Sequence, residues 1–145
     1  MKALIQRVSQ ASVDIDNETS GQIGLGLLVL LGVDKTDDTD SARRLVEKVI
    51  NYRIFPDDQS RMNLSLLDKK AQLLVVSQFT LSADTKKGLR PSFASAADPE
   101  EAEKLYEYFV SCCREKVEIV ETGRFGADMQ VSLTNDGPVT FLLEN

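Results

Sequence analysis

Histidine and tryptophan are both missing from this chain of 145 residues, and aromatic residues make up only 6% of it. The missing histidine excludes the usual Ser-His and Cys-His nucleophile pairs and removes the commonest general base near neutral pH. Any catalysis must therefore draw on something else. The two cysteines, Cys112 and Cys113, are adjacent and poorly placed to bond each other, and two cysteines without histidine cannot assemble a usual zinc site. Neither a disulfide scaffold nor a metal is expected. No run approaches the roughly 18 uninterrupted apolar residues of a membrane span, because the stretch from Ile23 to Val33 is cut by Gly24, Gly26 and Gly32. The N-terminus also lacks a signal-peptide layout, so a cytoplasmic protein with no membrane partner is expected.

What is present is a balance suited to a core: 42% hydrophobic and 28% charged residues, in a length typical of one domain spanning residues 1–145. The net charge of -6 argues against broad binding along nucleic acid, whose affinity comes mainly from neutralised phosphates. DNA is not expected as a partner. A grip on one RNA end remains open, because Lys86, Lys87 and Arg90 cluster, as do Arg114, Lys116 and Arg124. A solvated charged surface is the plain alternative for each.

Ala3 to Val8 and Ala11 to Ile15 alternate as two strands, with turn chemistry from Asp16 to Gly21. Leu25 to Val33 reads as a buried central strand; Gly24 and Gly26 within it do not form a nucleotide fingerprint, which needs a third glycine between strand and helix. Ala42, Leu45, Val46, Val49 and Ile50 share one helical face, predicting a helix from about Thr39 to Tyr52. An exposed loop through Pro56 and Asp57 leads by Met62-Asn63-Leu64 to a strand from Gln72 to Gln78. Asp98-Pro99-Glu100-Glu101 then combines an N-cap, a proline at the first helical position and acidic residues, opening a second helix through Leu105 and Phe109. Val117 to Glu121 and a tail broken at Asn135-Asp136-Gly137-Pro138 supply the last strands. Strands outnumber helices without regular βαβ alternation. The expected class is α+β, with largely antiparallel sheets forming a barrel-like core and two main helices.

Two short segments carry the functional signal. Gly137-Pro138 sits inside the strand-rich tail, where a proline must mark a bulge, an edge or a shaped turn. Ser77-Gln78-Phe79-Thr80-Leu81 follows the apolar run Leu73 to Val76. It is either a strand end rich in β-compatible residues or a substrate-contact strand whose amides meet a developing oxyanion. For acyl transfer, backbone N–H groups suffice to stabilise that charge. Thr80 is weak as a nucleophile, because no evident base lies nearby in sequence.

Taken together, Ser77-Gln78-Phe79-Thr80-Leu81 and Asn135-Asp136-Gly137-Pro138-Val139-Thr140 resemble the paired motifs of the D-aminoacyl-tRNA deacylases. The resemblance extends to Leu4-Ile5-Gln6-Arg7-Val8, Met62-Asn63-Leu64, Arg90-Pro91-Ser92-Phe93 and Thr122-Gly123-Arg124-Phe125. It implies a homodimer with active sites at the subunit interface, a cis Gly137–Pro138 bond inserted into the partner's pocket, aminoacyl-tRNA as substrate, and no cofactor. The implied reaction is hydrolysis of the ester between a D-amino acid and the terminal adenosine, with L-aminoacyl-tRNA rejected and glycine able to slip through. Ser77, Gln78, Phe79 and Thr80 are the implied catalytic segment, with Phe79 beside the adenine. Gly137, Pro138, Val139, Met129 and Arg7 are implied in substrate binding and chiral selection, with Arg7 supporting the Gly-Pro loop and Met129 lining the pocket. Lys86, Lys87 and Arg90 are candidate tRNA contacts. Two rivals stand beside this reading: a noncatalytic RNA-binding module, and an editing hydrolase aimed chiefly at glycyl-tRNA.

Overall fold

The computed structural model describes residues Met1–Asn145. The chain opens with one long strand, β1 (Lys2–Ile15), rather than the two strands expected from the alternation. The change of pattern reflects a change of face. Ala3 and Ile5 join a cluster packed beneath the helices, whereas Val8, Ala11 and Val13 join a second cluster with Ile23, Leu28, Leu74 and Val76. Register shifts against a neighbouring strand fall between Gln6 and Val8 and again between Val8 and Gln10. Such irregularities turn the side-chain parity of a strand without ending it.

Asp16 and Asn17, at φ of 53° and 64°, turn the chain tightly into β2 (Glu18–Ile23), the positive-φ geometry that suits a two-residue hairpin. The expected turn through Gly21 is therefore shorter, and Glu18 to Gly21 are strand. Gly24 and Leu25 form the bend into β3 (Gly26–Gly32), not part of the strand as expected. β2 pairs with the second half of β1 and β3 with the first half, both antiparallel.

Beyond β3 the sheet becomes parallel. β6 (Gln72–Ser77) lies parallel to β3, and β7 (Val120–Thr122) parallel to β6. These two pairings are reached by crossovers containing α1 (Thr39–Asn51) and α3 (Pro99–Arg114), an arrangement the irregular spacing of helices and strands had concealed. Leu27, Val29 and Leu31 of β3, and Leu73 and Val75 of β6, pack toward the helices, while Leu28, Leu74 and Val76 pack into the second cluster. Burial on both faces explains the uninterrupted apolar runs of these strands. Gly26 is required where β3 starts, since a Cβ there would lie 2.0 Å from the Gln72 carbonyl oxygen. The sheet curls until β2 meets β7, with the Ser20 hydroxyl donating to the Thr122 carbonyl at 3.3 Å. The result is a nearly closed, barrel-like α+β fold.

α1 starts where Asp38 caps it, accepting from the Ser41 amide at 2.8 Å, and buries Ala42, Leu45, Val46, Val49 and Ile50. Each large apolar side chain so buried contributes about 1.5–3 kcal/mol. α3 starts at Pro99 as expected, but the Asp98 side chain makes no capping hydrogen bond. Between them lie a small hairpin, β4 (Phe55–Pro56) with β5 (Met62–Leu64), and a one-turn helix, α2 (Leu66–Lys69). Ser65 and Asp68 cap α2 reciprocally, a Ser-x-x-Asp signal present in the sequence.

β8 (Gln130–Glu144) completes the sheet on the opposite edge of β1, from Lys2 against Glu144 to Asp14 against Gln130. It continues as one strand past the expected break, but residues 136–139 bulge out of the ladder opposite Arg7. Its remaining edge has no strand partner, and Leu133, Phe141 and Leu142 are exposed.

Candidate active site

β6 delivers the chain to the mouth of an apolar cleft. The strand ends at Ser77, and Gln78 continues the pairing by one bond, its amide donating to the Leu31 carbonyl at 2.7 Å. The chain then tightens into a 3-10 turn, Phe79–Ser82. The Ser77 to Leu81 segment is thus strand only at Ser77 and a strand-to-turn junction beyond it. Ser82 pins it from beneath: fully buried, its hydroxyl donates to the Val33 carbonyl at 3.2 Å, and Ser95 donates to the Ser82 carbonyl at 2.6 Å. The amides of Phe79 and Thr80 open the turn, where its own helical geometry supplies no acceptor. The Gln78 amide, by contrast, is already committed.

The cleft encloses about 450 Å³ and is lined by Ser77, Gln78, Phe79, Ala96, Ala97, Tyr106, Phe125, Met129 and Val131, among others. That volume lies in the range of small-molecule sites, about 300–1,000 Å³. Its one titratable lining group is Tyr106, whose hydroxyl donates to the Val75 carbonyl at 2.9 Å. Burial pushes this phenol up to about 12, so it is neutral throughout the physiological range. No carboxylate, ammonium or guanidinium lines the cleft. Thr80 is exposed beside it, and its hydroxyl accepts a hydrogen bond from the Gln78 side-chain amide. Phe79 is 60% exposed, and its ring stands 5.1 Å from Phe93 at 46°.

From Ser82 the chain runs into a loop whose neck is closed by Asp84 and Ser92, their main chains exchanging bonds of 2.8 and 3.1 Å. Lys86, Lys87 and Arg90 are exposed on this loop and engaged in no ion pair with the protein's carboxylates.

The second segment stands elsewhere. β8 pairs Asn135 with Val8 and Thr140 with Gln6, so residues 136–139 loop outward with only Arg7 opposite them. The Arg7 Nε donates to the Asp136 carbonyl at 2.8 Å and its guanidinium to the Ile54 carbonyl at 2.7 Å, with the Asp136 carboxylate at 3.5 Å. Gly137 and Pro138 are exposed, joined by a cis peptide bond, and Val139 is buried against the helix-side cluster. A Cβ on Gly137 would meet Val139 Cγ2 at 2.5 Å and its backbone nitrogen at 2.7 Å.

The cleft therefore gathers Ser77, Gln78, Phe79 and Met129, with Thr80 at its margin. Arg7, Gly137, Pro138 and Val139 do not line it within one chain. Sequence reasoning did not single out Tyr106, Ala96 or Ala97, and quoted Phe125 only within the resemblance, without a role. Tyr106 carried only the helical spacing of a core residue, and its ring in fact packs against Phe125, tilted by 50° with centroids 5.8 Å apart.

A curled mixed sheet, two covering helices and an apolar cleft at a strand-to-turn junction define the class: an α+β barrel-like fold shared with a solved structure titled "Structural Analysis of a probable eukaryotic D-amino acid tRNA deacylase". That chain is 17% identical, with a TM-score of 0.84 over 99% of this chain and 98% of its own. A second solved structure, "c-Myc DNA Unwinding Element Binding Protein", is 41% identical with a TM-score of 0.96, covering 100% of this chain and 99% of that one. The profile of the family D-Tyr-tRNA(Tyr) deacylase matches residues 4–144. The D-aminoacyl-tRNA deacylase of Erwinia tasmaniensis is 61% identical over 99% of both chains, and that of Pasteurella multocida 64% identical over the same shares. The chain belongs to the D-Tyr-tRNA(Tyr) deacylase family, a family of hydrolases.

Proposed function

We propose that this protein hydrolyses the ester between a D-amino acid and the terminal adenosine of tRNA and spares the L ester, proofreading chirality in the cytoplasm. The observation that carries the reading is a cleft without an ionisable base, at whose mouth the Phe79–Ser82 turn begins with amides that helical geometry leaves without an acceptor. Such amides stabilise the oxyanion that develops when water attacks the ester carbonyl. The carbon–oxygen bond to the ribose then breaks, the ribose oxygen takes the proton, and the products are the free amino acid and tRNA.

Water is activated by the ribose 2′-hydroxyl of the substrate rather than by Thr80. Two features support this assignment: the Thr80 hydroxyl is engaged with Gln78, and Tyr106 holds its proton to about 12. Phe79, exposed and backed by Phe93, offers a face to the adenine. Lys86, Lys87 and Arg90 meet acceptor-end phosphates. No metal or cofactor enters this scheme.

The working unit is a homodimer. β8 presents an unpaired edge, exposed Leu133, Phe141 and Leu142, and no lysine or arginine from residue 130 to 144, features that natural edge strands otherwise avoid. A second copy covers this face and brings its own Gly137 and Pro138 into the cleft. Their carbonyls hold the substrate's amino group and leave no space for an L side chain; a D side chain points outward, and glycine passes the same filter.

The test is hydrolysis of D-tyrosyl-tRNA and L-tyrosyl-tRNA by the purified protein in the presence of a chelator. Fast loss of the D ester with the L ester spared is expected; binding without turnover would overturn the reading in favour of an RNA-binding module. Preference for glycyl-tRNA over every D ester would redirect it to glycine editing. Light scattering should give a mass near twice 16.1 kDa, and a fully active monomer would overturn the shared site.

A further inference from the structure

The loop at residues 136–139 has lost its strand partner. Pairing with β1 jumps from Val8 opposite Asn135 to Gln6 opposite Thr140, leaving the intervening β8 residues without a main-chain ladder. Arg7 replaces one of the missing bonds, at the Asp136 carbonyl where the loop begins. A loop with exposed glycine and proline at its tip and one anchor at its entrance would sample many directions.

The neck is closed by Asn135. The Val139 amide donates to Asn135 Oδ1 at 2.6 Å, and Asn135 Nδ2 donates to the Val139 carbonyl at 3.2 Å and to Thr140 Oγ1 at 3.0 Å. One carboxamide thus exchanges with Val139 the same pair of bonds that a neighbouring strand residue would. Gln6 extends the network, its side-chain amide donating to Thr140 Oγ1 at 3.2 Å. Val139 is itself buried against the helix-side core, so the far end of the loop is fixed to the body of the protein.

We propose that Asn135 is a positioning residue for chiral selection: bonded across the neck of the loop, its carboxamide sets the direction in which Gly137 and Pro138 present their carbonyls to the substrate. This role rests on the reading of Gly137 and Pro138 as the chiral filter. Only a carboxamide of this length serves it, because an acceptor is needed for the Val139 amide and donors for the Val139 carbonyl and Thr140. Aspartate keeps the first and loses the others. Alanine loses all three.

The experiment measures the ratio of kcat/KM for D- and L-tyrosyl-tRNA in wild type, Asn135→Ala, Asn135→Asp and Thr140→Val, alongside melting temperature and light scattering. The expected result is a fall in the D/L ratio of roughly tenfold or more for Asn135→Ala, in keeping with the cost of a small misplacement at a reacting site. Asn135→Asp should fall between it and wild type, and Thr140→Val should lose least. A merely structural role would lower both rates together, so an unchanged ratio in Asn135→Ala overturns the proposal however far the melting temperature drops. Should Asn135→Ala fail to fold, the aspartate and valine variants decide it: both with wild-type ratios would overturn it. A wild-type protein without D-over-L turnover would overturn the underlying reading, whereas a discriminating wild type with an indifferent Asn135→Ala would overturn only this role.

Discussion

The junction after β6 and the loop inside β8 both turn the chain sharply at a sheet margin, but different atoms hold them. At residues 77–82 the main chain does most of the work: Gln78 donates to Leu31, Leu81 to Gln78 and Ala83 to Thr80, with buried Ser82 beneath. At residues 135–139 side chains do it, through Arg7 and Asn135. A geometry made by the main chain survives replacement of the side chains displayed on it, and one made by side chains does not. The first segment suits oxyanion stabilisation, which asks for fixed amides whatever residues carry them. The second suits discrimination, where shape is decided by a few particular residues.

The largest effect expected from this contrast is at Gly137. Gly137→Ala forces a Cβ to 2.5 Å from Val139 Cγ2 and 2.7 Å from its nitrogen, so the loop must move, and D-tyrosyl-tRNA hydrolysis should fall on the order of 100-fold with the helical circular dichroism retained. Activity within a small factor of wild type would break the comparison. Next comes Arg7→Ala, which removes the anchors at Asp136 and Ile54 and should cost roughly tenfold in kcat/KM; Arg7→Lys, unable to reach both carbonyls with a planar fork, should not restore it. Thr80→Ala lies on the other side of the contrast and should change kcat by no more than about threefold, because the Thr80 amide survives the change. A 2′-deoxy terminal adenosine should abolish turnover of the same enzyme; the reverse pattern would return the chemistry to the threonine.

The smallest expected effect is on pH dependence. Since burial keeps the Tyr106 phenol protonated up to about 12, Tyr106→Phe should leave the shape of the pH–rate profile unchanged between about pH 6 and 9. A limb that shifts in the variant would show a working phenol. Stability should respond only in alkali. The unfolded phenol ionises near pH 10, so the folded state binds the extra proton between about 10 and 12, and wild-type stability falls as pH rises through that window more than that of Tyr106→Phe.

Periodicity exposed both main helices, because Leu45, Val49, Leu105 and Phe109 fall on single faces wide enough to survive local noise. The parallel pairings were hidden: strands buried on both faces look alike whichever direction their neighbours run, and helical crossovers of unequal length disguise the repeat. β1 was read as two strands because its irregularity changes parity, which in a sequence is indistinguishable from a turn. Of the site, Ser77, Gln78, Phe79 and Met129 were legible through the motif resemblance and converge on one cleft. Tyr106 was not, since a lining residue on a helix carries the same apolar spacing as a core residue, and Phe125, in the turn between β7 and β8, stood in a quoted motif without a role. Asn135 stood within a quoted motif, but only its bonds across residues 136–139 distinguish a staple from an ordinary turn former.

β1 and β8 are the first and last strands in chain order, yet they pair along nearly their whole lengths. During synthesis on a ribosome β1 can satisfy one edge early with β2 and β3, but its other edge must wait until β8 has emerged. Such distant pairing is slow to form and leaves an unpaired edge at risk of misassembly meanwhile. The loop carrying Gly137 and Pro138 is therefore among the last parts to take shape, and a nascent chain stalled before β8 would already have the residues of the 77–82 junction while lacking the segment proposed to choose between mirror-image substrates.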